Sequence, residues 1–212
     1  GRVKFIGSSK ERIEEDYLRI LRYFRFFTQY SKADHDQDII KSIKQNINGL
    51  NKISNERIFD ELKKILSLKN LSNLFSNEQS KNIILSIFPQ FKFCERLENF
   101  NNLNQKLKDS YTYELILSLL IVDQTDNYEF FCYKYKVSNN IKNKFKNISE
   151  NFENLKNKKF YSKENIKKLI YFIDKDSVKD LLFFSLCLNG EIKNLNIKQL
   201  LDYISTCPIP KF

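Results

Sequence analysis

Apolar residues recur at steps of three and four almost from the start of this chain. Ile13, Tyr17, Ile20, Leu21, Phe24 and Phe27 fall on one face when drawn at about 100° per residue. The same period returns in Leu115, Ile116, Leu119 and Leu120, in Ile166, Leu169, Ile170 and Ile173, and in Leu181, Leu182, Phe184 and Leu188. No run alternates at period two over the length of a strand. Only 4 Gly and 3 Pro are available for tight turns. The pattern predicts an all-α fold. It places helices at 9–30, 36–45 and 54–66, with Asn48-Gly49-Leu50 stopping the second and 67–76 a loop. Further helices run from 77 to about 204, broken at Pro89, at 99–104 and at Asn189-Gly190. Two domains are expected, 1–66 and 67–212, and no internal repeat stands out.

The polar positions of the first helix are ordered as well. Ser8 followed by Glu11 has the S-x-x-E form of a capping box. Glu11, Glu14, Glu15 and Asp16 crowd the first turns, and Arg19, Arg22 and Arg25 follow, as the helix dipole favours. On the helical wheel Arg12, Asp16, Arg19 and Tyr23 form one strip, with Glu15 and Phe26 at its border, so Asp16 and Arg19 are neighbours on one side. Taken alone, an Asp and an Arg three residues apart describe a surface ion pair worth roughly 0.2–0.5 kcal/mol.

Arg2-Val3-Lys4-Phe5-Ile6-Gly7 followed by Glu15-Asp16-Tyr17-Leu18-Arg19 and Leu21-Arg22-Tyr23-Phe24-Arg25-Phe26 resembles the neck of bacterial class II tRNA nucleotidyltransferases. These are the CCA-adding enzymes, to which bacterial poly(A) polymerases are related. The pattern is E-D-x-x-R running on into L-R-F-x-R-F. A second stretch, from Ile53-Ser54-Asn55-Glu56-Arg57-Ile58 to Glu61-Leu62-Lys63-Lys64-Ile65-Leu66, resembles the next neck motif, S-x-E-R-I-x-x-E-L-x-K-L-L, at the family's spacing. The resemblance makes 1–66 the neck and 67–212 a helical body. The end of the chain, Cys207-Pro208-Ile209-Pro210-Lys211-Phe212, resembles the opening of the family's tail.

The resemblance implies that Asp16 and Arg19, supported by Glu15, serve as a protein template for CTP and ATP. A carboxylate only accepts and a guanidinium only donates. Cytosine and adenine each offer an exocyclic amine beside a ring acceptor, whereas uracil and guanine present a carbonyl and a ring N–H there. Arg12, one turn before Asp16, would steer that carboxylate or approach the triphosphate. Glu56, Arg57 and Glu61 would brace the neck. The family's catalytic head, with its G-S-x-x-R loop and the D-x-D pair for Mg2+, has no counterpart in these residues. Asp34-His35-Asp36 is the nearest D-x-D and reads as a solvated loop. The chain contains no Met, so Gly1 reads as a cut point, with the head upstream or on a partner chain. These 212 residues alone are expected to transfer no nucleotide.

Composition sharpens two points. The net charge is +10, and the segment 134–168 holds eleven lysines against Glu150, Glu153 and Glu164. Lysine without arginine suits shape-following phosphate contact, and Lys142, Lys144, Lys146, Lys156, Lys158 and Lys159 are the candidate tRNA-binding residues. Abundant Asn and Lys with scarce Ala also fit an AT-rich genome, which by itself puts lysine on every solvated face. Cys94, Cys132, Cys187 and Cys207 have no C-x-x-C spacing and His35 is the single histidine, so no zinc site is expected. The apolar window from Leu115 to Val122 is far too short to span a bilayer, and a reduced, cytoplasmic protein is expected. Two other readings stay open. One is the same region of a poly(A) polymerase, although those relatives tend to show E-D-P-V-R where Tyr17 stands. The other is a stand-alone helical module binding RNA or protein.

Overall fold

A computed structural model describes residues 1–188 and 196–208. The Asn189-Gly190 break and residues 209–212 of the tail-like ending lie outside the described residues. Those residues form helices and short 3-10 turns, with no strand among them. They fall into two compact units, Gly1–Phe91 with Tyr133–Lys136, and Lys92–Cys132 with Val137–Phe212.

The first unit holds α1 (Ser9–Glu15), α2 (Arg19–Tyr30), α3 (Gln37–Asn46), a 3-10 turn (Ile47–Lys52), α4 (Asn55–Leu66), α5 (Leu71–Ser76) and α6 (Glu78–Ile87). Two helix starts are capped by serines, the first of them the expected Ser8. Ser8 Oγ accepts from Glu11 N and Ser54 Oγ from Arg57 N, both at 3.4 Å. Each helix buries its apolar stripe. α1 packs on α3, α2 on α4 and α5, and α5 on α6, around Ile13, Ile20, Leu21, Phe24, Ile43 and Leu62.

The expected helix over 9–30 is broken. Asp16 is extended (φ −154°, ψ 103°), ending α1, and Arg19 N donates to Asp16 O at 2.9 Å, closing a turn through Tyr17 and Leu18. The Asp16 carboxylate accepts from Leu18 N at 3.2 Å, a local bond that competes with helix continuation. Burial of the Tyr17 ring against Gly49 rewards the break. A Cβ added at Gly49 would fall within bonding distance of that ring, so only glycine leaves it room. The expected loop at 67–76 is half helix, because Leu71 and Leu74 of α5 are buried against α2. The packing unit thus runs past residue 66.

The second unit holds α7 (Arg96–Asn101), α8 (Gln105–Lys108), α9 (Tyr113–Ile121), α10 (Asn127–Lys134, whose last two residues group with the first unit), α11 (Asn139–Asn151), α12 (Lys163–Ile173), α13 (Lys175–Leu186) and α14 (Ile197–Thr206). All residues of α9 from Leu115 to Ile121 are buried, which explains the continuous apolar window at that point. α7 and α13 pack on it, and α13 also meets α11, α12 and α14. The buried Arg96 donates from Nη1 to Leu119 O (3.1 Å) and Val122 O (2.6 Å), satisfying carbonyls at the end of α9. Burial lowers its pKa to about 10.

Candidate nucleotide-reading site and lysine surface

The break between α1 and α2 decides where the first motif points. Asp16 no longer shares a helical strip with Arg19. Among the described residues these two side chains form no ion pair. Arg19 Nη1 instead meets Glu15 Oε2 at 2.7 Å and donates to Arg12 O at 2.8 Å. Arg12 Nη1 meets the same Glu15 oxygen at 2.5 Å. Glu15 therefore clamps two guanidinium groups. Its pKa is lowered, first by the Arg19 hydrogen bond and then by the one from Arg12.

Asp16 turns toward the second motif. Its Oδ2 lies 3.2 Å from Arg57 Nη2 and 3.5 Å from Arg22 Nη1. Nine residues on, Arg25 Nε meets Glu61 Oε1 at 2.5 Å, and Lys64 and Arg22 approach the other Glu61 oxygen at 3.4 and 4.0 Å. The Glu61 side chain is only 2% exposed, so this carboxylate survives burial by pairing with cations. Glu56, exposed, pairs with Lys136 at 2.5 Å, which lowers its pKa. The two motifs thus interlock at Asp16–Arg57 and Arg25–Glu61. Reading α1 and α2 as one helix set Arg22 and Arg25 aside. Their fixed spacing within the first motif, set against the acid of the second, was the available signal.

An apolar cavity of about 260 Å³ opens beside Arg12, Arg19 and Arg22, and Asp16 is not among its lining residues. Val3, Phe5 and Phe26 form walls, and Arg12, Arg19 and Arg22 reach its rim. Phe5 stacks on Tyr23, with ring centroids 5.8 Å apart. A slot of this kind can hold a flat ring between apolar walls while guanidinium donors meet acceptors at its edge.

The stretch Asp34-His35-Asp36 is not a solvated loop throughout. His35 is buried, stacked on Phe27 at 3.6 Å, with Nδ1 2.9 Å from Tyr23 Oη and Nε2 2.7 Å from Ser80 Oγ. Burial lowers its pKa. Asp36 caps α3 and pairs with Lys4 at 3.3 Å. Among the described residues no group of three or more His, Cys, Asp or Glu side chains is placed to hold a metal ion.

The six candidate lysines separate by environment. On α11, Lys142 pairs with Glu129 (3.6 Å), Lys144 with Asp180 (3.4 Å) and Lys146 with Glu150 (3.6 Å). Lys144 lies on the side of α11 away from the other two. Asp180 is partly buried, and burial raises its pKa despite Lys144. Lys156, Lys158 and Lys159 sit on the 3-10 segments Asn154–Lys156 and Lys158–Tyr161, exposed and without a carboxylate within 4.0 Å among the described residues.

Residues 36–94 match the family described as "Probable RNA and SrmB-binding site of polymerase A". The chain is 28% identical over 196 residues to the CCA-adding enzyme of Staphylococcus haemolyticus, covering 92% of this chain and 45% of that protein. It is 49% identical over 75 residues to the mitochondrial CCA tRNA nucleotidyltransferase 1 of Mus musculus, covering 34% and 17% respectively. The solved Thermotoga maritima CCA-adding enzyme in complex with tRNA superposes with a TM-score of 0.66 at 19% identity, over 96% of this chain and 52% of that one. A CCA-adding enzyme in complex with ATP gives 0.65 at 20% identity, over 93% and 49%. The chain spans about half of the solved relatives and less than half of these curated ones. The all-helical fold of the described residues matches about half of each of these solved CCA-adding enzymes. Over most of its length the chain is similar to one stretch of CCA-adding enzymes.

Proposed function

We propose that this chain is the base-reading and tRNA-holding part of a CCA-adding tRNA nucleotidyltransferase. The observation that carries the reading is the interlock of the two motifs. Asp16 stands at a helix break, held by Arg57 of the second motif, while Glu15 and the Arg12 carbonyl fix one nitrogen of Arg19. A guanidinium has five N–H donors. The remaining edge of Arg19 donates to a ring acceptor, and Asp16 accepts from an exocyclic amine. That pairing selects CTP and ATP over UTP and GTP. A base presenting a carbonyl to Asp16 would leave the carboxylate unsatisfied, a penalty of about 1–3 kcal/mol or more. Arg57, Glu56 and Glu61 hold this geometry rather than touch the nucleotide. Mg2+ and the reacting groups belong to a catalytic head, in the same polypeptide or on a partner. The setting proposed is cytoplasmic, and the four free thiols agree with a reducing compartment.

The relatives that match most of the chain are CCA-adding enzymes, and this favours CCA addition over poly(A) synthesis. NMR titration of the chain with CTP, ATP, UTP and GTP tests the reading. CTP and ATP should shift the side-chain signals of Arg19 more than UTP and GTP do, and Asp16→Asn should abolish the preference. Equal shifts from all four nucleotides would remove the template assignment. Incubation of these residues with tRNA lacking its terminus, CTP, ATP and Mg2+ should give no incorporation. Any product would show that the catalytic groups are here.

A further inference from the structure

A second cleft on the first unit, of about 380 Å³, opens between the 3-10 turn Ile47–Lys52, the start of α4 and the end of α6. Leu50, Ile58 and the Tyr135 ring line it as buried residues, and most of its open surface is polar. Its rim carries the amides of Asn48, Asn51 and Asn55 and the ammonium of Lys134. Among the described residues none of these three amides makes a side-chain hydrogen bond. Lys134 has no carboxylate partner there, and its Nζ lies 5.1 Å from the Tyr135 ring centroid. No carboxylate lines the cleft.

That charge pattern separates it from two other polar hollows among the described residues. The groove of about 910 Å³ on the second unit has Lys144, Lys146 and Lys175 at its edge but also Glu150, Asp174 and Asp176. The cavity of about 350 Å³ at Arg96 is lined by Glu95 and Asp123 as well. Each balances cation with anion. The cleft at Asn48 combines a buried apolar underside, amides that both donate and accept, and one unbalanced positive charge. Apart from Lys134 and Tyr135, its lining lies within the residues that match the RNA-binding family description.

We propose that this cleft seats one unpaired nucleotide of an RNA strand. The base sits in the cleft over the thin exposed strip of Tyr135 and Ile58. Its polar edge meets the asparagine amides, which can pair a donor and an acceptor on one base as Asn does with adenine. The adjoining phosphate meets Lys134. The volume is in the range of roughly 300–1,000 Å³ of small-molecule sites, enough for one nucleotide. The inference rests on the reading that the chain binds RNA, but it does not depend on Asp16 or Arg19.

The test measures binding of the chain to a fluorescent single-stranded RNA, to a duplex of equal length, and to CMP and AMP. Asn48→Ala with Asn51→Ala should weaken single-strand binding about tenfold, the loss of two amide hydrogen bonds, while leaving duplex binding unchanged. Lys134→Gln should flatten the plot of log affinity against log salt by about 0.7 for a single strand. The asparagines altered are exposed, and circular dichroism checks that both variants keep their helices. Unchanged single-strand affinity in both folded variants overturns the proposal, including the case in which only CMP or AMP binding is lost. A wild-type chain that binds no RNA at all overturns both this site and the tRNA reading. Strong RNA binding that ignores the cleft variants removes the cleft alone.

Discussion

Glu61 is a carboxylate almost without solvent, and its neighbours determine what its removal costs. Arg25 is its close partner, with Lys64 and Arg22 behind. Breaking a buried pair by deleting one partner costs about 3–5 kcal/mol, less where the other partner reaches water, as Arg25 does at 20% exposure. Glu61→Ala should therefore destabilise the first unit by about 2–3 kcal/mol, measured by urea denaturation. Arg25→Ala should cost more than Arg22→Ala, since Arg22 stands 4.0 Å away. Equal costs for the two arginines would contradict the assignment. His35 supplies a pH prediction. Its folded pKa lies below the ordinary 6.5 because burial disfavours the imidazolium. Below pH 6.5 the unfolded chain then binds more protons than the folded one, so stability falls as pH drops from 6.5 toward the folded value. Because it is the chain's one histidine, His35→Gln should remove that decline. Denaturation midpoints at about pH 7.5 and 5.5 check it, and a variant that keeps the wild-type slope would refute the origin.

At the scale of the element, the break at residues 16–18 is the main departure from what periodicity predicted. The wheel could not show it, because Ile13, Tyr17, Ile20 and Leu21 keep helical spacing across the turn. Another clue was present. Relatives with proline at position 17 need an extended residue before it and a turn position that proline favours. Asp16 is extended, and Tyr17 is the second residue of the turn closed by Arg19 N. The serine caps and the amphipathic faces of α2, α3 and α4 were legible because they depend on residues three or four apart. The partners of Asp16 and Arg25 stand 41 and 36 residues away and emerge only when α2 packs on α4. The socket for Tyr17 is equally non-local. Gly49→Ala should push the Tyr17 ring out of place at about 1–3 kcal/mol, the usual cost of overpacking. By displacing the turn it should also blunt the proposed preference of Arg19 for CTP and ATP. Thermal denaturation and the nucleotide titration read the two effects separately.

Across the whole molecule the excess of positive charge is smaller as a phosphate-binding surface than lysine counts imply. Of the eleven lysines in 134–168, Lys136, Lys142, Lys144, Lys146 and Lys168 each have a carboxylate within 4.0 Å. A lysine already paired releases fewer counterions when it meets RNA, so position in the fold, and not frequency in the sequence, ranks these residues. Lys156, Lys158 and Lys159 stand exposed on consecutive 3-10 turns, without a carboxylate within 4.0 Å among the described residues. Replacing these three by Gln should lower the slope of log tRNA affinity against log salt by about 2–3, since each phosphate contact contributes about 0.7–0.9. Replacing Lys142 and Lys146 should lower it by less than one such contact each. Lys144→Gln belongs to another category, because Asp180 then loses its cation in a partly buried position and the second unit loses stability. Filter binding over a range of KCl, with melting temperatures for each variant, separates these effects. Equal slopes for the two sets of lysines would mean that intramolecular pairing does not decide which of them meet the RNA.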